Sequence, residues 1–129
     1  MKRVKKIVLY VVIGLVVVLT AGITYLNIGM NEGKKAVVGT VDVSQTVDGS
    51  YVGSYKNSRW SNQVNVTVVN HRITAINIEK TVLIEQQDVT EKLINDVLAA
   101  QNTDVEIISG ATVTSKAYLK SIENALSGK

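Results

Sequence analysis

The segment from Ser109 to Ser115 holds the residues of this chain best suited to binding a ligand. It reads Ser-Gly-Ala-Thr-Val-Thr-Ser and is followed by a helical pattern. Gly110 permits a positive φ angle or a close approach of the backbone to a ligand. The start of the next helix offers unpaired N–H groups and the positive end of the helix dipole, which favour an anion such as phosphate. Four hydroxyls lie around that point, on Ser109, Thr112, Thr114 and Ser115.

The same hydroxyls have a second interpretation. Ser and Thr ahead of a helix commonly serve as N-caps, so the local chemistry alone leaves both an anion site and a simple cap open. The segment is neither a Walker A loop nor a dinucleotide fingerprint, because it lacks the Gly-Lys-Ser/Thr ending and the Gly-x-Gly-x-x-Gly spacing.

A longer pattern around this segment resembles the FMN-binding domain family. The pattern includes Ser109–Leu119, Ile122–Leu126, Asp48–Gly53 and the alternating valines of 64–68. The likeness covers roughly residues 47–127. It extends to the flavin-carrying periplasmic subunits of sodium-pumping quinone reductase and ferredoxin–NAD oxidoreductase complexes.

The resemblance implies an FMN cofactor and a specific attachment point. In the family, a flavin transferase moves FMN from FAD to the last Thr of the core, which matches Thr112 here. Gly110 and Ala111 would let the transferase and the flavin approach, and Ser109 would sit beside the modified residue. Thr114 is a further candidate for binding the cofactor. Glu106 stands where the family usually has Asp, which leaves non-covalent FMN binding as a variant.

Other side chains are candidates for contacting the flavin. Trp60 and Tyr55 could stack on its ring, and Trp60 could equally cover the edge of a sheet. Arg59 and Lys116 could neutralise the phosphate, although a solvated surface position is the plainer interpretation for each. His71 is predicted to be a turn residue.

The elements that must position this segment show two hydrophobic periodicities, that of a strand and that of a helix. Val64, Val66 and Val68 alternate with polar residues, as do Ile76 and Ile78 further on, and this predicts a β-hairpin. Helices are predicted over 88–100, with Asp88 and Glu91 as a capping box, and over about 115–126, with Gly128 at the end. A short strand is predicted over 105–108. The predicted fold is α+β, an antiparallel sheet with two packed helices.

An uncharged apolar run precedes this domain, from Ile7 to Leu26. Twenty helical residues span about 30 Å, the thickness of the hydrocarbon core of a bilayer. We therefore predict a basic cytoplasmic tail over 1–6, a transmembrane anchor over 7–28, a tether over 29–46 and an FMN-binding domain over 47–129. A signal peptide cleaved near Thr20–Gly22 is the alternative, although such apolar regions are usually shorter.

Composition excludes several classes of protein. The chain has no Cys and one His, so disulfides, iron–sulfur clusters and multi-His metal sites are ruled out. Of the 14 basic residues, four precede residue 7. The rest of the chain has ten basic residues and 11 acidic residues, which nearly balance in charge. The basic excess is therefore a topology signal, which places the tail in the cytoplasm and the domain outside it. A nucleic-acid binder would carry its basic excess on the folded domain.

These observations predict a single-pass membrane protein that transfers electrons through FMN. Its expected partners are the bilayer, a flavin transferase and a membrane electron donor, either a quinol or a respiratory complex. No nucleophile–base pair is visible, so we do not expect the chain to be a self-sufficient enzyme. Two alternatives remain: a subunit of an ion-translocating redox complex, and a cell-surface binding or structural domain that has lost the cofactor.

Overall fold

The computed structural model describes residues 1–128 and has seven main elements. A long apolar helix leads into a short helix, three strands and two further helices. Two short 3₁₀ helices, Val43–Gln45 and Ser58–Trp60, flank the first strand. The elements are α1 (Lys2–Asn27), α2 (Met30–Lys35), β1 (Gly49–Tyr55), β2 (Asn62–Val69), β3 (Arg72–Lys80), α3 (Gln87–Ala100) and α4 (Thr112–Ser127).

The three strands form one antiparallel sheet in the order β1-β2-β3. The predicted hairpin is β2 and β3, and its turn lies at Asn70 and His71. Both turn residues have positive φ angles, 53° and 60°. Positive φ at both positions is the geometry that matches the right-handed twist of a hairpin. The prediction of His71 as a turn residue is confirmed.

The core lies between one face of this sheet and the helix α4. The alternating valines of β2, at positions 64, 66 and 68, are fully buried. They face Tyr118, Leu119 and Ile122 of α4, which belong to the same buried cluster. Helix α3 adds Leu93 and Val97 to that cluster. The α+β prediction, with two helices packed on an antiparallel sheet, is confirmed.

The predicted capping box of α3 is wrong. The helix begins at Gln87, with Gln86 as its N-cap and no side-chain cap. Asp88 therefore lies inside the first turn, where its charge still suits the helix dipole. Glu91 accepts a hydrogen bond from Gln87 Nε2 at 3.1 Å instead of reaching back to a cap.

Two predictions around the hydroxyl segment also differ from the structure. Helix α4 begins at Thr112, three residues before the predicted start. Val113 and Thr114 are buried in its first turn, and packing there outweighs the low helix propensity of β-branched residues. The run 105–108 forms no strand. A tight turn, in which Val105 N donates to Thr103 O at 3.0 Å, bends the chain at the start of that run.

The segment predicted as a tether packs against the domain. It contains α2, and beyond α2 Gly39 N donates to Glu123 Oε2 at 3.1 Å. Val43 is buried in the core. The Val37-Val38 run lies outside the sheet. Residues 29–46 thus form one side of the folded unit.

Helix α1 is long and apolar enough to cross a membrane, and none of its residues is buried by the rest of the described chain. Length and composition are the basis of this finding, and a signal sequence near the N-terminus has the same properties. The helix is therefore a membrane anchor or a signal sequence.

Candidate functional site

The hydroxyl segment forms a tight turn that opens directly into α4. Gly110 has a φ angle of +80°, and Ala111 N donates to Ile108 O at 3.0 Å. Ala111 is the N-cap, so no side chain caps this helix. Thr112 is the first helical residue and is exposed. The N-cap interpretation of these hydroxyls is therefore wrong, and within residues 1–128 Thr112 Oγ1 has no hydrogen-bond partner.

The turn forms one wall of a cleft of about 370 Å³. This volume lies in the range of roughly 300–1,000 Å³ that is typical of small-molecule sites. The opposite walls come from α2, from the 3₁₀ helix before β2 and from the loop before α3. The lining residues are Met30, Lys34, Arg59, Trp60, Ile84, Gln86 and residues 110–114.

The lining combines cationic and apolar residues. Lys34 and Arg59 are its charged residues, and no carboxylate is among them. Neither cation forms an ion pair with another residue of the described chain. The N-terminus of α4 adds the positive end of a helix dipole. Together these groups favour a ligand that carries both an anionic group and an apolar surface.

Arg59 and Trp60 form a stacked pair in the lining of the cleft, and Trp60 is largely buried in the core. The guanidinium carbon lies 4.1 Å from the centre of the indole ring, a cation–π contact. Asn62 Nδ2 donates to Trp60 O at 3.1 Å, and Ser121 Oγ donates to Asn62 Oδ1 at 2.5 Å. Asn62 and Ser121 are both buried. This buried chain of hydrogen bonds fixes the backbone of Trp60 to α4, the helix that also carries Thr112.

The α2 wall is held by close packing and by backbone contacts. A side chain at Gly33 would collide with Val113 Cγ1, so the glycine allows α2 to lie directly against α4. Lys116 Nζ donates to Lys34 O at 2.6 Å, and Asn57 Nδ2 donates to Gly29 O at 2.8 Å. The two ends of α2 are thereby fixed to different parts of the domain.

The structure brings together part of the predicted site. Gly110, Ala111, Thr112 and Thr114 line the cleft, and so do Trp60 and Arg59. Exposed Ser109 adjoins the cleft without lining it. Three further candidates lie elsewhere: Glu106 is exposed outside the lining, Tyr55 Oη accepts a hydrogen bond from Asn57 Nδ2, and Lys116 binds the backbone of α2.

Sequence reasoning missed the residues that α2 and the 81–86 loop contribute. Met30, Lys34, Ile84 and Gln86 line the cleft, yet they occur in segments without periodicity. One signal was present, because the glycines at positions 29 and 33 bracket the first turn of the short helix. Only long-range packing shows that these residues face Thr112.

The fold and the cleft define a small α+β domain, set behind an apolar helix, with a site suited to an anionic ligand that also has an apolar part. The family model of the FMN-binding domain matches residues 22–127, and the chain belongs to that family. No curated protein sequence matches the chain. The match begins within α1, so the segment predicted as a tether is part of the family's domain.

Proposed function

We propose that this chain is a membrane-anchored, extracytoplasmic electron-transfer module that carries FMN on Thr112. The observation that carries the proposal is the position of Thr112. It is the exposed first residue of α4, and it lines a cleft with two cations that form no ion pair within residues 1–128. Membership of the FMN-binding domain family supplies the identity of the ligand.

The composition of the cleft fits FMN. The phosphate would lie at the start of α4, where helix N–H groups and the Lys34 and Arg59 side chains favour negative charge. The apolar ring would lie against Trp60, Met30 and Ile84. Gln86 adds an amide that can donate to or accept from a polar atom of the ring.

Attachment of the flavin would form a phosphoester. Thr112 Oγ1 would bond to the phosphorus of the FMN half of FAD, AMP would leave, and the hydroxyl proton would pass to solvent. A flavin transferase is the partner that this reaction requires. Glu106 lies outside the lining of the cleft, so its role in the proposal is recognition by that enzyme.

The chemistry of electron transfer belongs to the cofactor. Bound FMN supplies reversible uptake of one or two electrons, and the protein supplies position and electrostatics. The residues of the cleft would hold the ring on the side of the domain where Arg59 Nε donates to Leu26 O, in the last turn of α1, at 2.7 Å. A donor in or on the membrane, a quinol or a respiratory complex, is the partner that suits this position.

The decisive experiment is a denaturing gel viewed under ultraviolet light, after co-expression with a flavin transferase. We expect a fluorescent band for the native chain, a band for Thr112→Ser and none for Thr112→Ala. Thr114→Ala is the matched control, because Thr114 also lines the cleft and lies two residues further along α4; its band should persist.

Two other outcomes have clear meanings. A yellow native protein without a fluorescent denatured band would show that FMN binds without the phosphoester. A protein with neither colour nor fluorescence would refute the flavoprotein assignment for this chain and favour a domain that has lost the cofactor.

A further inference from the structure

Two exposed apolar side chains, Leu83 and Ile84, lie together in the loop between β3 and α3. Their exposed fractions are 63% and 51%. Ile84 lines the cleft, whereas Leu83 lies outside the lining. A bound ligand could cover Ile84, but it would leave Leu83 in water. Leu83 therefore needs a separate explanation.

The loop is fixed to the domain despite its exposure. Leu83 N donates to Arg59 O at 2.8 Å, and Val82 N donates to Tyr118 Oη at 3.2 Å. Val82 and Tyr118 are both buried. The hydrogen bonds on Val82 and Leu83 hold the backbone against the core, while the side chains of Leu83 and Ile84 remain exposed. This is the arrangement of a preformed contact surface.

Arg59 connects this loop to the end of α1 through two hydrogen bonds. Arg59 accepts from Leu83 through its backbone oxygen, and its side-chain Nε donates to Leu26 O at 2.7 Å. Leu26 is the last residue of the uncharged apolar run. The polar interface outside the hydrocarbon core is about 5–7 Å thick on each side of a bilayer. A loop joined to Leu26 through one side chain is close enough to reach that interface.

The surroundings of the helix exit suit a lipid surface. Tyr25 and Ile28 are exposed and continue the apolar surface of α1 to its C-terminal end. Lys56 is exposed near the same exit, where Glu32 also lies, and its long side chain can reach lipid phosphates. Exposed apolar side chains with a cationic residue nearby are a feature of segments that bind at a membrane interface.

We propose that Leu83 inserts into the outer surface of the bilayer beside α1, so that the domain touches the membrane at two points. The rim of the FMN cleft then lies at the lipid headgroups, within reach of a donor dissolved in the bilayer. This inference rests on the membrane anchor of the proposed function.

The test uses the full chain in vesicles of phosphatidylcholine and phosphatidylglycerol, with single cysteines that carry a nitroxide spin label. The native chain has no Cys, so each label has a unique position. Relaxation by oxygen, which concentrates in the bilayer, is compared with relaxation by a water-soluble nickel chelate. For Leu83→Cys we expect oxygen to dominate, with a loss of relaxation by nickel.

Val47→Cys is the matched control. Val47 is an exposed apolar residue, 73% accessible, but it precedes the Gly49 end of β1. Gly49 pairs with Val68, at the opposite end of β2 from Asn62 and Trp60. The label at Val47 should therefore be relaxed by nickel, as expected for water.

Three results would overturn the inference. Nickel relaxation at Leu83 equal to that at Val47 would place the loop in water. Protection of Leu83 from both reagents would mean that protein, such as a second copy of the chain, covers it. If oxygen fails to relax a label at Val17 in α1, then α1 does not lie in the bilayer. The membrane anchor and this inference would both be wrong. FMN on the gel remains an independent readout, so failure of the flavin site is distinguishable.

Discussion

Gly110 is the residue whose backbone conformation shapes the turn before Thr112. Its φ angle of +80° is one that residues with a Cβ rarely adopt, although a Cβ there would meet open space. We expect Gly110→Ala to lower the free energy of unfolding by about 1–2 kcal/mol and to reduce the FMN bound per chain. Urea denaturation and in-gel fluorescence measure the two effects.

Gly128 provides a matched control for that substitution. It ends α4 with a φ angle of +74° and is likewise in open space. Gly128→Ala should cost similar stability while leaving FMN content unchanged, because it lies outside the cleft. Equal FMN loss in both variants would mean that instability, rather than the shape of the turn, controls loading.

Ionisation of Tyr118 makes the free energy of unfolding depend on pH in the alkaline range. Burial raises the pKa of its phenol above the ordinary value of 10.0, while the hydrogen bond from Val82 N acts in the opposite direction. In the unfolded chain the phenol ionises near its ordinary pKa, whereas in the folded chain it stays protonated to higher pH. The folded state then binds more protons, so the free energy of unfolding should fall as pH rises above 10.0.

Chemical denaturation across this pH range, with Tyr118→Phe alongside, tests the effect. The variant should be less stable at neutral pH, because Val82 N loses its acceptor. Its further loss at alkaline pH should be smaller than that of the native chain. An identical alkaline loss would assign the effect to other groups.

At the scale of elements, the contact between α2 and α4 determines the width of the cleft. A side chain at Gly33 would meet Val113 Cγ1, which belongs to a side chain and can be removed. We expect Gly33→Ala to cost about 1–3 kcal/mol of stability through overpacking and to weaken FMN binding. Denaturation curves and flavin content are the measurements.

A double variant makes this prediction specific. Val113→Ala removes the methyl group that a new side chain at position 33 would strike. Gly33→Ala combined with Val113→Ala should therefore be more stable than the sum of the two single effects implies. Simple additivity would show that the two positions do not interact, and the proposed role of Gly33 would then be wrong.

The sequence predicted the elements with strong periodicity and failed where long-range packing decides. The alternating valines of β2 and the polar pair before β3 were sufficient for the hairpin. The start of α4 was misplaced because Thr112, Val113 and Thr114 are weak helix formers, and the burial of Val113 and Thr114 is invisible in the sequence. Helix α2 was missed for a related reason. It has six residues, with one glycine before it and one within it, and its stability comes from contact with α4.

The candidate site was also predicted only in part from the sequence. Family resemblance selected the segment 109–114, and the structure adds a cleft around it. Trp60 was recognised as an aromatic candidate, but its stacking with Arg59 requires the 3₁₀ helix that carries both residues. Lys34 carried no local signal, because a lysine near a membrane helix is ordinary.

At the scale of the whole molecule, the proposed topology gives opposite accessibilities to the two ends of α1. In intact cells, a membrane-impermeant maleimide should label Ser50→Cys and leave Lys2→Cys unlabelled until the cells are lysed. Both positions are exposed in the structure, so the membrane alone would account for the difference. Labelling of Lys2→Cys in intact cells would contradict the topology, and loss of the N-terminal segment from the mature protein would indicate a signal peptide.

The cleft has a consequence for the order in which the protein matures. Its walls come from distant parts of the chain, as the contact between Lys34 and Lys116, 82 residues apart, illustrates. The cavity therefore comes into existence only after α4 has docked on the sheet and on α2. Under the proposed function, a transferase that recognises this cavity would modify finished molecules and pass over nascent ones. The intensity of flavin fluorescence would then report the amount of correctly folded protein in a cell.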